Sequence, residues 1–451
     1  MTLLEKFGDF IESHNNTKFD ALLIHHARRA LLDWQAALLA GSNTQAANRL
    51  RAAFSDELSS TGLCSIAGVA PRASARTAAF VNGSISHIAE FDDIYRDGAY
   101  HTGCPTISAV FSLAQSKHSS LDELLRAIII GYEVSNRISR VIQPSHYVYF
   151  HTTGTVGVFG ASAACAALLK LNSIQACNAM AIAGTFASGL QEAFRSDSMT
   201  KPMHAGHAAE VGLSAALAAN AGMTGANNLL EGEAGFGAAM SKAPRWNELF
   251  EDLGEDFSIS KMTFKNHGCC GHTFPAIDGV GYLIQEHNIQ ATNIKRIRIG
   301  AYRPTVEVCA YRHPKTPFEA KFSLSYTVAA RIILGRVREK AFLPIHFLNQ
   351  DIFTLEEKVE LYIDQECADR FPKRRSAKIE IELNDGSIFK HYQLTRHGDP
   401  DDPLSDQELM DKFFELVEPR IGTAMTEELA QLIMNAENIK IEEITNLWRG
   451  V

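Results

Sequence analysis

Apolar residues recur at helical spacing through the first two-thirds of the chain. Between Asp20 and Leu39 they fall at Leu22, Leu23, Ala27, Ala30, Leu31, Trp34, Ala37 and Leu38. This pattern predicts a helix, with Gly41 as its stop. Ser74 to Phe91 repeats it through Ala75, Ala78, Ala79, Ile85, Ile88 and Ala89, and Leu121 to Ile138 continues it. Segments 154–171, 174–190 and 205–221 are rich in small residues. Small side chains let helices approach closely and be buried on several sides. The prediction is an all-helical domain of Ala- and Gly-rich helices.

The pattern changes near Lys261. Residues 294–300 alternate Ile with Lys or Arg, and residues 377–383 alternate Ile with Lys or Glu, as half-buried strands do. Asp385-Gly386 between residues 377–383 and 387–394 predicts a hairpin. Helices are expected near 322–334 and 350–359. Helical spacing returns after Pro403, where Ser405 and Glu408 form a capping-box signature ahead of Leu409, Phe413, Leu416 and Val417. The expected architecture is mainly α. A large all-helical domain spans 1–266 and 400–451, and a smaller α+β domain of 267–399 is inserted into it.

Composition narrows the class. The 451 residues are 46% hydrophobic and 21% charged, as in a soluble globular protein. A net charge of −9 with no long basic run argues against a nucleic-acid partner. The N-terminus lacks a secretory pattern, and no apolar run reaches the roughly 20 residues a membrane span needs. The eight cysteines include no Cys-x-x-Cys pair, so reduced thiols and a cytoplasmic location are expected.

Four stretches carry the chemistry. His101-Thr102-Gly103-Cys104-Pro105 follows the acids Glu90, Asp92 and Asp93; these read either as a solvated helix end or as groups fixing the His101 tautomer. The aspartate pair has no second oxygen cluster at suitable spacing, so no metal is expected. Tyr149 and His151 lead into Thr152-Thr153-Gly154, where a threonine can cap a helix and backbone N–H groups favour an anion. Lys201 precedes Pro202, which favours a loop or helix start, where a cation is unfavourable unless an anion faces it. His204 and His207, three residues apart, can share a helix face. Lys265, His267, Cys270 and His272 crowd a Gly-containing loop at the expected domain junction. The plainer readings are a solvated lysine, incidental histidines and an inert thiol at Cys270.

Taken in order, these stretches resemble the MmgE/PrpD family. The likeness runs through Asn82 to Asp93, His101 to Pro105, His151 to Gly160, Gly184 to Gly189, Lys201 to Glu210, Gly232 to Phe236 and Lys265 to Asp278. The family contains 2-methylcitrate dehydratases, cis-aconitate decarboxylases and an iminodisuccinate epimerase. The resemblance implies a helical domain with an α+β lid, a homodimer, no cofactor, and an active site between domains. It also implies that His101, His151, Lys201 and Lys265 line the pocket. The chain departs from the decarboxylase pattern at Glu90, where aspartate is expected, at Ile94 in place of threonine, and at Cys270 in place of a catalytic histidine.

The expected function is proton removal and return at a carbon beside a carboxylate. His101, His151, Lys201 and, more weakly, Tyr149 are the candidate catalytic groups. Lys265, His204, Glu90, Asp93, Thr152, Cys270 and His272 are the candidate contacts to a small anionic carboxylate. The departures favour an epimerase of the iminodisuccinate type. A methylcitrate-type hydro-lyase or a tricarboxylate decarboxylase is the alternative.

Overall fold

Asp20 accepts a hydrogen bond from the Leu23 N–H and so starts the first long helix, α1 (Ala21–Ser42). Gly41 does not stop it. An ideal Cβ there would stand 2.2 Å from the Ile85 carbonyl oxygen, so the glycine serves a close helix crossing. The computed structural model describes residues 1–59, 61–194, 198–371 and 373–450. It is mainly helical and divides into two units, Met1–Thr263 with Ser405–Val451, and Phe264–Leu404.

The first unit is helical apart from a two-stranded ribbon, Cys64–Ser65 with Arg72–Ala73. Its framework after α1 is α2 (Ala75–Ser86), α3 (Gly103–Ser116), α4 (Leu121–Val141), α5 (Gly157–Leu168), α6 (Ser173–Gly184) and α7 (Lys201–Asn220). Every residue of α5 is buried, as its alanines and glycines allow. On α7, a Cβ at Gly206 would lie 2.1 Å from Ser84 Oγ and 2.2 Å from the Phe80 carbonyl oxygen. Only glycine lets α7 and α2 approach this closely, and that approach positions the site. The roughly 1 kcal/mol that a mid-helix glycine costs is offset by the packing gained.

Several helices end earlier than periodicity suggests. The helix expected to reach Phe91 stops at Ser86, and the chain then turns through Glu90, which takes a left-handed conformation with φ of 62°. The segment expected to be one helix over 154–171 is a short helical turn, Thr152–Thr155, followed by α5.

The second unit holds a four-stranded sheet. β1 (Ile294–Ala301) pairs parallel with β2 (Val359–Ile363) and antiparallel with β3 (Ala377–Leu383), and β3 pairs antiparallel with β4 (Ile388–Gln393). The expected hairpin is present, with Gly386 at φ of 89° in its turn. β2 corrects the sequence reading. The helix predicted over 350–359 ends at Glu356, and Val359 already belongs to the strand. Helices α8 (Phe274–Glu286) and α9 (Leu324–Leu334) share one apolar core with the sheet, built around Ile277, Val280, Val328, Ile297, Ile299, Ile379 and Ile381.

The chain returns to the first unit through α10 (Asp406–Ile421), capped by the predicted Ser405–Glu408 box. From α10, buried Lys412 reaches Asp33 at 2.6 Å and donates to the Phe91 carbonyl at 2.7 Å. A buried cation needs such partners, since an unpaired one costs several kcal/mol. The contact fixes the residue immediately before Asp92. Among the described residues, no helix is long and apolar enough to cross a membrane. All eight cysteines are free thiols.

Candidate active site

Four histidines gather in the first unit. His87 follows the end of α2, His101 lies just ahead of α3, His151 opens the turn Thr152–Thr155, and His204 stands one turn into α7. Ring centroids are 4.7 Å apart for His87 and His101, 5.5 Å for His87 and His151, 6.4 Å for His101 and His151, and 5.2 Å for His151 and His204.

Asp92 organises one side of the cluster. Its Oδ2 accepts from His87 Nδ1 at 2.8 Å and from the Cys104 thiol at 3.2 Å, and it lies 2.7 Å from His101 Nδ1. A carboxylate has no proton to give, so the His87 bond requires hydrogen on Nδ1. The His87 Nε2 atom is buried and has no hydrogen-bond partner among the described residues. The Cys104 thiol is held well above its ordinary pKa by burial first and by the Asp92 charge next. It stays protonated and donates.

His151 and His204 form the other side, with Nδ1 to Nδ1 at 3.0 Å. Such a contact needs one donor and one acceptor. Burial pushes His151 well below the usual imidazole pKa, and the neighbouring His87, Lys201, His204 and His101 add to the effect. His204 falls to about 4, again chiefly through burial. Both rings are therefore neutral near pH 7. Glycine makes room for them. A Cβ at Gly154 would approach His204 Cβ to 3.2 Å, and Gly189, at φ of 135°, has the His204 ring 3.3 Å from where a Cβ would stand.

Lys201 is the first residue of α7, where a cation opposes the helix dipole. Glu90 forms an ion pair with it. The expected anion is thus supplied by the protein itself.

Other expected site residues are placed differently. Asp93 spends both carboxylate oxygens inside the protein, Oδ1 on the Gly103 N–H at 2.8 Å and Oδ2 on the Tyr132 hydroxyl at 2.8 Å. Burial, then the Asp33 charge, raises its pKa to about 7. It clamps the start of α3, and its side chain is buried within the protein. Tyr149 is 63% exposed, and among the described residues no contact joins its ring to the histidines. Thr152 is buried and accepts from Gln143 Nε2 at 3.1 Å. It does not cap the turn, because His151 holds that position. Thr153 Oγ1 instead accepts the His101 N–H at 3.3 Å. His207 contacts the Phe186 carbonyl at 3.2 Å.

The loop 265–272 belongs to the second unit. Lys265 is 1% exposed. His267 Nε2 lies 2.8 Å from Asp278 Oδ1, and the Cys270 N–H donates to the Lys321 carbonyl at 3.0 Å. His272 Nδ1 sits 2.9 Å from the Tyr302 hydroxyl, and its pKa drops to about 3 through burial and the charges of Arg375 and Arg396. The Cys309 thiol is driven well above its ordinary pKa by its contact with Cys270, with burial adding.

The sequence reading left open which of Glu90, Asp92 and Asp93 faces His101, and did not single out His87 or the Cys104 thiol; Asp92 is the acid beside His101. The usable signal was His87 five residues before Asp92, masked because His87 fell inside the helix expected over Ser74 to Phe91. His87, Asp92 and Cys104 bring possible metal-ligand atoms within 4.8 Å of one another. Their mutual distances suit hydrogen bonds better than zinc ligands, which stand roughly 3.5 Å apart around an ion bound at about 2.0–2.3 Å.

Residues 5–249 match the MmgE/PrpD N-terminal domain and residues 267–438 match the MmgE/PrpD C-terminal domain. The chain belongs to the MmgE/PrpD family. This MmgE/PrpD chain is 28% identical over 467 residues to human cis-aconitate decarboxylase, covering 100% of this chain and 95% of that protein. It is 26% identical over 456 residues to the cis-aconitate decarboxylase-like protein oryM of Aspergillus oryzae, covering 95% and 93% of the two. Mouse cis-aconitate decarboxylase matches at 26% over 393 residues, 83% of this chain and 78% of that protein. These relatives favour the lyase alternative over the epimerase expected from the departures at Glu90, Ile94 and Cys270. The epimerase reading finds no support among them.

Proposed function

We propose that the chain is a lyase that decarboxylates a tricarboxylate of the cis-aconitate type, with His101 as the proton carrier. The observation that carries this reading is the likeness to a cis-aconitate decarboxylase along the whole chain. The histidine cluster supplies a mechanism.

In this reading the bond from carbon to one carboxylate breaks and its electron pair stays on carbon. Carbon dioxide leaves. The pair delocalises through the double bond toward a remaining carboxylate, where the Lys201 ammonium stabilises the developing charge. His101 Nε2–H then gives its proton to carbon, so one tricarboxylate and one proton yield one dicarboxylate and carbon dioxide.

His101 suits this role because Asp92 lies behind it and favours the imidazolium. The His101 side chain is 14% exposed while that of Asp92 is 2% exposed, so the ring can be recharged from water without its carboxylate being solvated. The neutral His151–His204 pair offers polar contacts without competing for the proton. Substrate carboxylate would exchange with Glu90 on Lys201.

The test is carbon dioxide release from cis-aconitate by purified protein and by the His101→Gln variant. Release by the parent and a loss of about 100-fold or more in the variant support the reading, since a general acid typically contributes about 100-fold to 10,000-fold. No release by the parent refutes it. Alkene formation from 2-methylcitrate in the same assay would move the chain to the hydro-lyases.

A further inference from the structure

We propose that His87 is a positioning residue which, by sharing Asp92 with His101, sets how tightly His101 holds its proton. This rests on the reading of His101 as the proton carrier.

The geometry is specific. One carboxylate oxygen, Asp92 Oδ2, accepts from His87 Nδ1 at 2.8 Å and from the Cys104 thiol at 3.2 Å, and stands 2.7 Å from His101 Nδ1 as a charge contact. Each donor that bonds to this oxygen draws off charge that would otherwise stabilise the His101 imidazolium. With Asp92 undivided, a buried carboxylate would bind the His101 proton firmly and slow its transfer to carbon. With the charge divided, the proton is held less tightly and can be both kept and given up.

His87 suits this role and no direct contact with substrate. Its side chain is fully buried, and its ring lies edge-on to His101 and stacked on His151. The other titratable groups around His101 are Cys104 from α3, Asp93 with Tyr132 from α4, His151, and the Lys201–Glu90 pair with His204 from α7. Of these, the Cys104 thiol also donates to Asp92 Oδ2, at 3.2 Å. Removing His87 changes the carboxylate facing His101 while leaving these groups in place.

The experiment is an NMR titration of ring-labelled histidine in the full chain without substrate, with the His101 resonance assigned by its loss in His101→Gln. His87→Leu removes the donor to Asp92. His87→Asn keeps one, because the Asn amide nitrogen occupies the place of Nδ1. Expected are a His101 midpoint about one pH unit higher in the Leu variant and an unmoved midpoint in the Asn variant. Cys104→Ala, which removes the thiol donor and leaves the imidazoles intact, should shift the midpoint upward by less. This variant decides the matter if His87→Leu does not fold.

Turnover gives the second readout. The alkaline limb of the pH–rate profile should move upward in the Leu variant, with kcat lowered and KM little changed, and the Asn variant should restore both. A His101 midpoint unaltered in the folded Leu and Cys104→Ala variants overturns the proposal, as does an equal shift in Leu and Asn. The titration uses no substrate. A parent protein inactive on cis-aconitate would sink the decarboxylase reading and leave the His87 result to be judged by itself.

Discussion

His151 and His204 face each other through their Nδ1 atoms at 3.0 Å, and one proton between them satisfies both. The pair ties the turn Thr152–Thr155 to α7. Truncating His204→Ala leaves a buried ring nitrogen on His151 without its partner, at a cost of about 1–3 kcal/mol. Urea denaturation should register that loss. A His204→Asn variant, which keeps a short polar side chain on α7, should lose less.

Acid stability follows from the depressed histidines. His146 and His204 have folded pKa values of about 4, below the unfolded value of 6.5, and burial also lowers His151 well below that value. The unfolded chain binds more protons between pH 6.5 and 4, so stability falls as pH drops through that window. Fully buried His146 alone sets an upper limit of about 3 kcal/mol. Asp93 acts in the opposite sense. Its folded pKa of about 7 lies above the unfolded 3.8, so its contribution falls as pH rises from 4 to 7. Urea midpoints measured from pH 7 to pH 4 should decline, and more steeply in Asp93→Asn, which lacks the opposing term.

The Lys412–Asp33 ion pair is completely buried. Lys412→Met removes the buried cation that faces Asp33, and should cost about 3–5 kcal/mol. The change also frees the Phe91 carbonyl beside Asp92. Activity in the folded fraction should fall too, measured at a temperature where circular dichroism shows the variant intact.

Glu90 and a substrate carboxylate would compete for Lys201. Glu90→Gln should tighten tricarboxylate binding by about fivefold, the equivalent of roughly 1 kcal/mol for one partly exposed ion pair. Lys201→Met should weaken it by at least as much. Isothermal titration with cis-aconitate measures both.

Much of this was legible in the chain. Small residues announced close-packed helices, and Gly206 against Ser84 and Phe80 shows why they are required. The Asp385-Gly386 hairpin and the Ser405–Glu408 cap followed from local chemistry alone. His101, His151, Lys201 and His204 stood out because each sits beside glycine or proline, and the structure gathers all four in the first unit. His87 was hidden for a different reason. Periodicity carried one helix through residue 91, but the helix ends at Ser86, and the chain then passes a left-handed Glu90 and brings Asp92 onto His87. Tyr149 looked chemical by neighbourhood, yet alternation of exposure at a turn is not visible in composition. The strand Val359–Ile363 was lost because its partner, residues 294–301, lies far away in sequence.

Reaction in heavy water tests the central claim most directly. Cis-aconitate incubated with the protein should release carbon dioxide and leave a five-carbon unsaturated dicarboxylate carrying one solvent-derived deuterium on carbon, in equal amounts, by mass spectrometry. Recovery of unchanged cis-aconitate with no carbon dioxide, under conditions where the protein is folded, would contradict the account.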